Sequence, residues 1–171
     1  FIIGLFGFAG KTKRSHSIFE ALSRLAPALK ARVTLLIVGN DVYQADIDRF
    51  GVGDMVINAG YLSDDDFLLG MQSCDLILNL RYPSMGETSA VQIQAMSAEK
   101  ACIVSDDGWF SELHKISTDE HEVEELIQAI NRLAEDTTYR LSIARQARLY
   151  ITQQHSPQVV TRQWMNVLQL P

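Results

Sequence analysis

Short apolar runs alternate with segments whose apolar positions recur at helical spacing, from one end of the chain to the other. Phe1–Phe8, Val33–Val38 (broken only by Thr34), Met55–Ile57, Leu76–Leu80 and Ala101–Val104 are the strand-like runs. Continuous apolar runs of this length belong in strands covered on both faces, as in parallel sheets. Between them lie helical signals. Ser17 with Glu20 reads as a capping box before Ile18, Leu22 and Leu25, and Pro27 should end or kink that helix. Ser63 with Asp66 reads as a second cap, placing three acids at a helix start with Phe67, Leu68 and Met71 on one face. Thr88–Lys100 carries Val91, Ile93, Ala95 and Met96, and from Asp119 the chain reads as helix to its end, with a break at Ser156–Pro157. The order predicts an α/β fold: a doubly wound, Rossmann-like parallel sheet with helices on both faces.

Composition narrows this picture to one domain, residues 1–171. The length suits one domain of roughly 100–200 residues and a core burying roughly 70% of the unfolded surface. Hydrophobic residues make up 47% and charged residues 21%, as in ordinary globular chains. The net charge of −6 argues against a chain-wide grip on nucleic acid or anionic lipid. Cys74 and Cys102 sit in apolar runs and read as buried free thiols, since two cysteines make no disulfide framework. No apolar run is long enough for a membrane span. The chain starts with Phe, and the positive charges follow the first apolar run, the wrong order for a signal peptide. A chain excised from a longer one is the expectation.

In doubly wound sheets, ligands bind beyond the carboxyl ends of the strands. The loop after the first strand, FIIGLFGFAGKTKR, resembles a triphosphate P-loop but fails on spacing, because the position five before Gly10 is Leu5. The helix should also start at Lys11, whereas the capping signal lies at Ser15–Ser17. The evenly spaced Gly4, Gly7 and Gly10 fail the dinucleotide fingerprint as well. What survives is a glycine-rich turn carrying Lys11, Lys13 and Arg14, a plausible anion site. A second loop runs from Asn79 through Pro83 and Gly86 to a helix that Thr88 or Ser89 can cap, whose first amides suit an anion. Glu87 at this start reads either as a capping acid or as a site acid. The two loops together suit a nucleoside diphosphate bearing a sugar, with Glu87 and polar side chains reading hydroxyls.

The sequence resembles the donor-binding, C-terminal half of GT-B retaining glycosyltransferases of family 4. The resemblance is carried by GFAGKTKR, by LLIVGN at Leu35–Asn40, by VINAGYLSDDDFLLGMQSCDLILNLRYPS from Val56 to Ser84, and by GETSAVQIQAMS running into IVSDDGWFSEL. It implies that Lys13 binds the donor diphosphate, helped by Gly10, Lys11 and Arg14, with the amides of Gly86, Thr88 and Ser89 at the helix start. It implies that Gly60, Tyr61 and Leu62 present backbone to the nucleobase. Of the family's paired acids, Glu87 matches the first, near the transferred sugar, and neutral Gln94 stands at the second, on the ribose. Gln94 forgoes the charge assistance that roughly doubles such a hydrogen bond. Phe8 replaces the usual arginine of the first loop, and Ala98-Glu99-Lys100-Ala101 replaces a Gly-x-Pro turn.

The implied chemistry is transfer of a sugar from a nucleotide donor with retention, needing no metal or other cofactor. Lys13 and the helix amides would stabilise charge growing on the leaving diphosphate. Glu87 would position a sugar hydroxyl and stabilise the ring. The implied partners are a nucleotide-sugar donor, a missing N-terminal acceptor-binding domain of the same chain and a glycan or lipid-linked acceptor; the expected location is cytoplasmic, with a membrane-peripheral full-length protein left open. The isolated half should be inactive.

Other features have plainer readings. His16, His114, His121 and His155 lack ligand spacing, Asp64–Asp66 reads as a solvated helix start, and Asp106 and Asp107 lead into a turn at Gly108. Trp109 and Phe110 should pack under that turn. Trp164, with Val160 and Val167, should cover a core face, although the resemblance also implies some exposed apolar surface on this last helix. The rivals are a P-loop phosphotransferase or NTPase, a binding module without turnover and a sugar-nucleotide epimerase.

Overall fold

The computed structural model describes residues 1–7, 11–39, 44–86, 88–108 and 115–169, without the side chain of Lys11. Its sheet comprises β1 (Ile2–Phe6), β2 (Thr34–Val38), β3 (Val56–Gly60), β4 (Leu76–Asn79), β5 (Ala101–Ser105) and β6 (Lys115–Ile116). The order across the sheet is β3-β2-β1-β4-β5-β6, and every pairing is parallel. The chain therefore winds outward one way from β1 to β3, then returns to the other side of β1 with β4. That reversal places a topological switch point between β1 and β4, where a crevice opens beyond the strand ends.

The expected alternation of strands and helices holds, and the α/β doubly wound class with it. The helices are α1 (Ser15–Ser23), α2 (Pro27–Lys30), α3 (Gln44–Phe50), α4 (Asp64–Ser73), α5 (Ala90–Ser97), α6 (Glu122–Glu135), α7 (Thr137–Gln154) and α8 (Pro157–Leu168), with 3-10 turns at Lys11–Lys13 and Gly53–Met55. Alternate strand residues feed two cores. Ile3, Leu5, Leu35, Ile37, Leu76 and Leu78 pack against Ile18 and Leu22 of α1 and Leu126 and Ile130 of α6. On the other face Phe6, Val38 and Ile77 pack against Met71 of α4, Ala95 and Met96 of α5 and Ile151 of α7. No helix among the described residues is long and apolar enough to cross a membrane.

Several local expectations are corrected. The Ser17–Glu20 capping box does not form: α1 starts three residues earlier, behind Arg14 in a left-handed conformation without a side-chain cap. The Ser17 hydroxyl instead donates to Glu122 at 2.6 Å. The Ser63 cap does form, accepting from the Asp66 amide at 3.2 Å. On α4, Met71 is buried but Leu68 is exposed, so the two do not share one covered face. Met55 lies in the 3-10 turn before β3, and the strand continues to Gly60. The long C-terminal helix is broken at Asp136, which caps α7 by accepting from the Tyr139 amide at 2.8 Å. Trp164 does not cover a core face: it is 61% exposed, and α8 buries none of its residues. Trp109 and Phe110 lie outside the described residues.

Candidate functional site

At the switch point lies a buried lysine. Lys13 ends the 3-10 turn after β1 and is only 5% exposed. Its ammonium donates to Asn79 Oδ1 at 2.8 Å and to the Phe6 carbonyl at 3.3 Å, so it sits at the carboxyl ends of both β4 and β1. A buried ammonium without such acceptors would be costly. Asn79 closes β4 and is itself fully buried. Its amide nitrogen donates to Ser89 Oγ at 3.1 Å and Gln92 Oε1 at 3.0 Å. Ser89 caps α5 by accepting from the Gln92 amide at 3.2 Å. One buried polar chain thus joins the first loop to the start of α5.

Arg14 follows a different course. Its Nε donates to both Glu122 oxygens at 3.0 and 2.9 Å, and its Nη2 to Oε2 at 2.5 Å. This bidentate pairing holds the guanidinium above its ordinary pKa, mainly through the hydrogen bond to Glu122. The Tyr82 ring lies 5.9 Å from the guanidinium, and the Tyr82 amide donates to the Thr12 carbonyl at 2.9 Å. Arg14, expected on the diphosphate, is thus engaged by α6. Of the other first-loop positions, Gly10 and the Lys11 side chain lie outside the described residues.

The second loop is braced from β5. The Ser84 amide donates to Asp107 at 2.5 Å, and the Arg81 amide to Ser105 Oγ at 3.0 Å. Gly86 takes φ +82°, and its amide donates to Ser84 Oγ at 3.2 Å. Asp106 is paired with Lys115 at 2.8 Å, so both acids after β5 are engaged. Thr88 precedes the cap, and the Asn79–Ser89 contact links the start of α5 to the Lys13 anchor. Glu87 lies outside the described residues.

Beside this anion-suited corner is a cavity of about 240 Å³ lined by Gly7, Gly39, Tyr61, Leu62, Phe67 and Gln94, among others. Gly39 lets its walls approach at Gly7. A Cβ on Gly39 (φ +135°) would stand 2.2 Å from the Gly7 carbonyl oxygen. Gly60 takes φ +64°, and its carbonyl accepts from the Gly39 amide at 2.8 Å. Gly7 borders both regions, since a Cβ on it would lie 3.8 Å from Lys13 Nζ. The fold therefore brings Tyr61, Leu62 and Gln94 to one cavity and Lys13 and Ser89 to its neighbour. Among the described residues no group of three or more His, Cys, Asp or Glu side chains could hold a metal. His16 instead contacts Asp46 at 3.5 Å and the Phe50 ring.

Residues 1–150 match the family described as Glycosyl transferases group 1. The chain belongs to this family. Its architecture is the Rossmann-like one of GT-B glycosyltransferase domains. Anabaena Alr3699/HepE in complex with UDP shares 24% identity at TM-score 0.84, over 99% of this chain and 48% of HepE. WaaG, a glycosyltransferase involved in lipopolysaccharide biosynthesis, shares 21% at TM-score 0.77, over 90% of this chain and 43% of its own. The C-terminal domain of a glycosyl transferase group 1 family protein (LpcC) from Francisella tularensis shares 16% at TM-score 0.75, over 92% and 87%. The chain thus spans about half the length of HepE and WaaG. No protein of curated function matches the sequence.

Within this glycosyltransferase domain, three buried polar residues were absent from the sequence-based site: Asn79, Gln92 and Glu122. Asn79 carries a faint signal, as the polar residue in the apolar run Leu76–Leu80. Gln92 was concealed among helical positions, and Glu122 is 108 residues from the arginine it holds.

Proposed function

We propose that this domain is the donor-binding, C-terminal half of a family 4 retaining glycosyltransferase. The observation that carries the reading is the position of the Lys13 ammonium, at the carboxyl ends of both strands flanking the switch point. A donor diphosphate would lie between Lys13 and the α5 N-terminus, on the amides of Gly86, Thr88 and Ser89. The base would enter the neighbouring cavity against Tyr61 and Leu62, with Gln94 hydrogen-bonding the ribose. Positive charge and helix amides aimed at the leaving diphosphate stabilise the charge that grows there as the glycosidic bond breaks. Glu87 would orient the sugar, no metal is required, and the acceptor, a glycan or lipid-linked sugar, would be held by an N-terminal domain facing this one in the cytoplasm. The isolated half binds donor without turnover.

Calorimetric titration with UDP, GDP and ATP, each with and without magnesium, tests the reading. Binding of a nucleoside diphosphate that is independent of magnesium and stronger than that of ATP is expected. Binding of ATP alone, dependent on magnesium, would overturn it in favour of a phosphotransferase.

A further inference from the structure

Building on the donor-site reading, we infer that Asn79 is the positioning residue of the diphosphate site, setting the place of the Lys13 ammonium relative to the α5 amides. Both ends of its side chain are committed: Oδ1 accepts from Lys13 Nζ at 2.8 Å, while Nδ2 donates to Ser89 Oγ and Gln92 Oε1. This assignment of oxygen and nitrogen is fixed by the partners, because an ammonium only donates and the Gln92 oxygen accepts. Asn79, Lys13, Ser89 and Gln92 are all buried, so water cannot substitute for a lost contact at little cost.

A lysine is a point charge on a flexible stem and does not fix its own geometry. Among the described residues the Lys13 ammonium donates to one neutral amide oxygen and one backbone carbonyl, both on rigid strand ends. A neutral anchor has a chemical consequence that a carboxylate would lack. It holds the ammonium without itself adding a negative charge beside a diphosphate. The same side chain ties the ammonium to the residue that caps α5. Lysine and helix amides, supplied by segments 76 residues apart, are thereby held in one register for adjacent phosphate groups.

The test is a double-mutant cycle on UDP and GDP affinity, with Lys13 acetylation measured in parallel by mass spectrometry. N79A should weaken binding of the preferred diphosphate at least tenfold in the wild-type background and less than twofold beside K13A. The Lys13 amine should acetylate several-fold faster in N79A, with Lys30 and Lys100 unchanged. N79D, nearly isosteric, covers the case in which N79A unfolds. It puts a carboxylate against the ammonium and should likewise weaken diphosphate binding at least tenfold. Additive losses in the cycle, or unchanged Lys13 reactivity, would overturn the positioning role. If the wild-type chain binds neither nucleotide, the donor reading itself falls and the diphosphate role of Asn79 falls with it. Altered Lys13 acetylation would then show only that Asn79 anchors the lysine.

Discussion

Glu122, the first residue of α6, closes a bidentate ion pair onto Arg14 in the loop after β1 and accepts a further hydrogen bond from Ser17. The carboxylate is almost fully buried, whereas the arginine remains partly open. Arg14 also takes the left-handed conformation (φ 55°) that residues with a Cβ normally avoid, and the pair holds it there. Glu122→Gln removes the charge but keeps the shape. It should cost about 2–3 kcal/mol, below the usual loss for a fully buried pair because water reaches Arg14. Urea unfolding of the variant measures this, and a midpoint equal to wild type would make the pair incidental. Arg14→Lys should also destabilise, since an ammonium cannot reproduce the fork.

The C-terminus of α5 offers a change in the opposite direction. The Glu99 amide donates to Met96 and the Lys100 amide to Ala95, at 3.1 and 3.0 Å, which is the Schellman pattern with Glu99 at the left-handed position, φ 55°. Glycine is the usual occupant there. Glu99→Gly relieves about 1–2 kcal/mol of backbone strain, against about 0.5–1 kcal/mol of extra chain entropy. The exposed pairings with Arg145 and Arg148, at 3.9 and 3.6 Å, contribute little. A net gain of about 0.5–1 kcal/mol, or about 1–3 °C in Tm, is expected for a chain of this size. Glu99→Ala keeps the strained backbone and should show no gain; equal gains in both would point away from the backbone.

How far these features were legible differs by their range in sequence. The strands of the sheet interior and the Ser63 cap follow from local pattern, because burial on both faces demands apolar runs and a cap needs only three following residues. The short β6 has no local signal, since two residues carry no period. The capping box at Ser17 misled because a distant carboxylate competes for that hydroxyl and wins. Lys13 was identified through resemblance, yet its anchoring by Asn79 rests on a contact across 66 residues that no local rule expresses. The pairing of Arg14 with Glu122 spans 108 residues and likewise has no local signal.

The two thiols give a pH prediction. Burial pushes the Cys74 thiol up to about 11 and the Cys102 thiol up to about 12. The folded state therefore holds these protons more tightly than the unfolded chain, whose thiols titrate near about 8.5. Their contribution to stability is complete below that value and lost as pH rises from about 9 to 12. In urea unfolding between pH 8 and 11, a Cys74→Ala/Cys102→Ala variant should lose stability less steeply than wild type; parallel curves would contradict the burial argument. At pH 8 both thiols should react with a disulfide reagent only after unfolding.

α8 is a helix that local signals create and tertiary packing barely holds. Ser156 caps it by accepting from the Val159 amide at 3.4 Å, and Pro157 occupies the first turn, where its missing N–H is harmless. A 12-residue helix is marginal by itself in water. Its apolar side chains do little to improve that within this chain: Trp164 is 61% exposed and Val167 73%. A chain ending after Ser156 should therefore unfold within about 1 kcal/mol of the full chain, because so little apolar area returns to water. Ile130→Ala on α6, by contrast, empties a fully buried site and should cost about 2–5 kcal/mol. Comparing the two in one urea series separates the helix that builds the core from the one that rests outside it. A truncation as costly as Ile130→Ala would mean that α8 is held by packing after all.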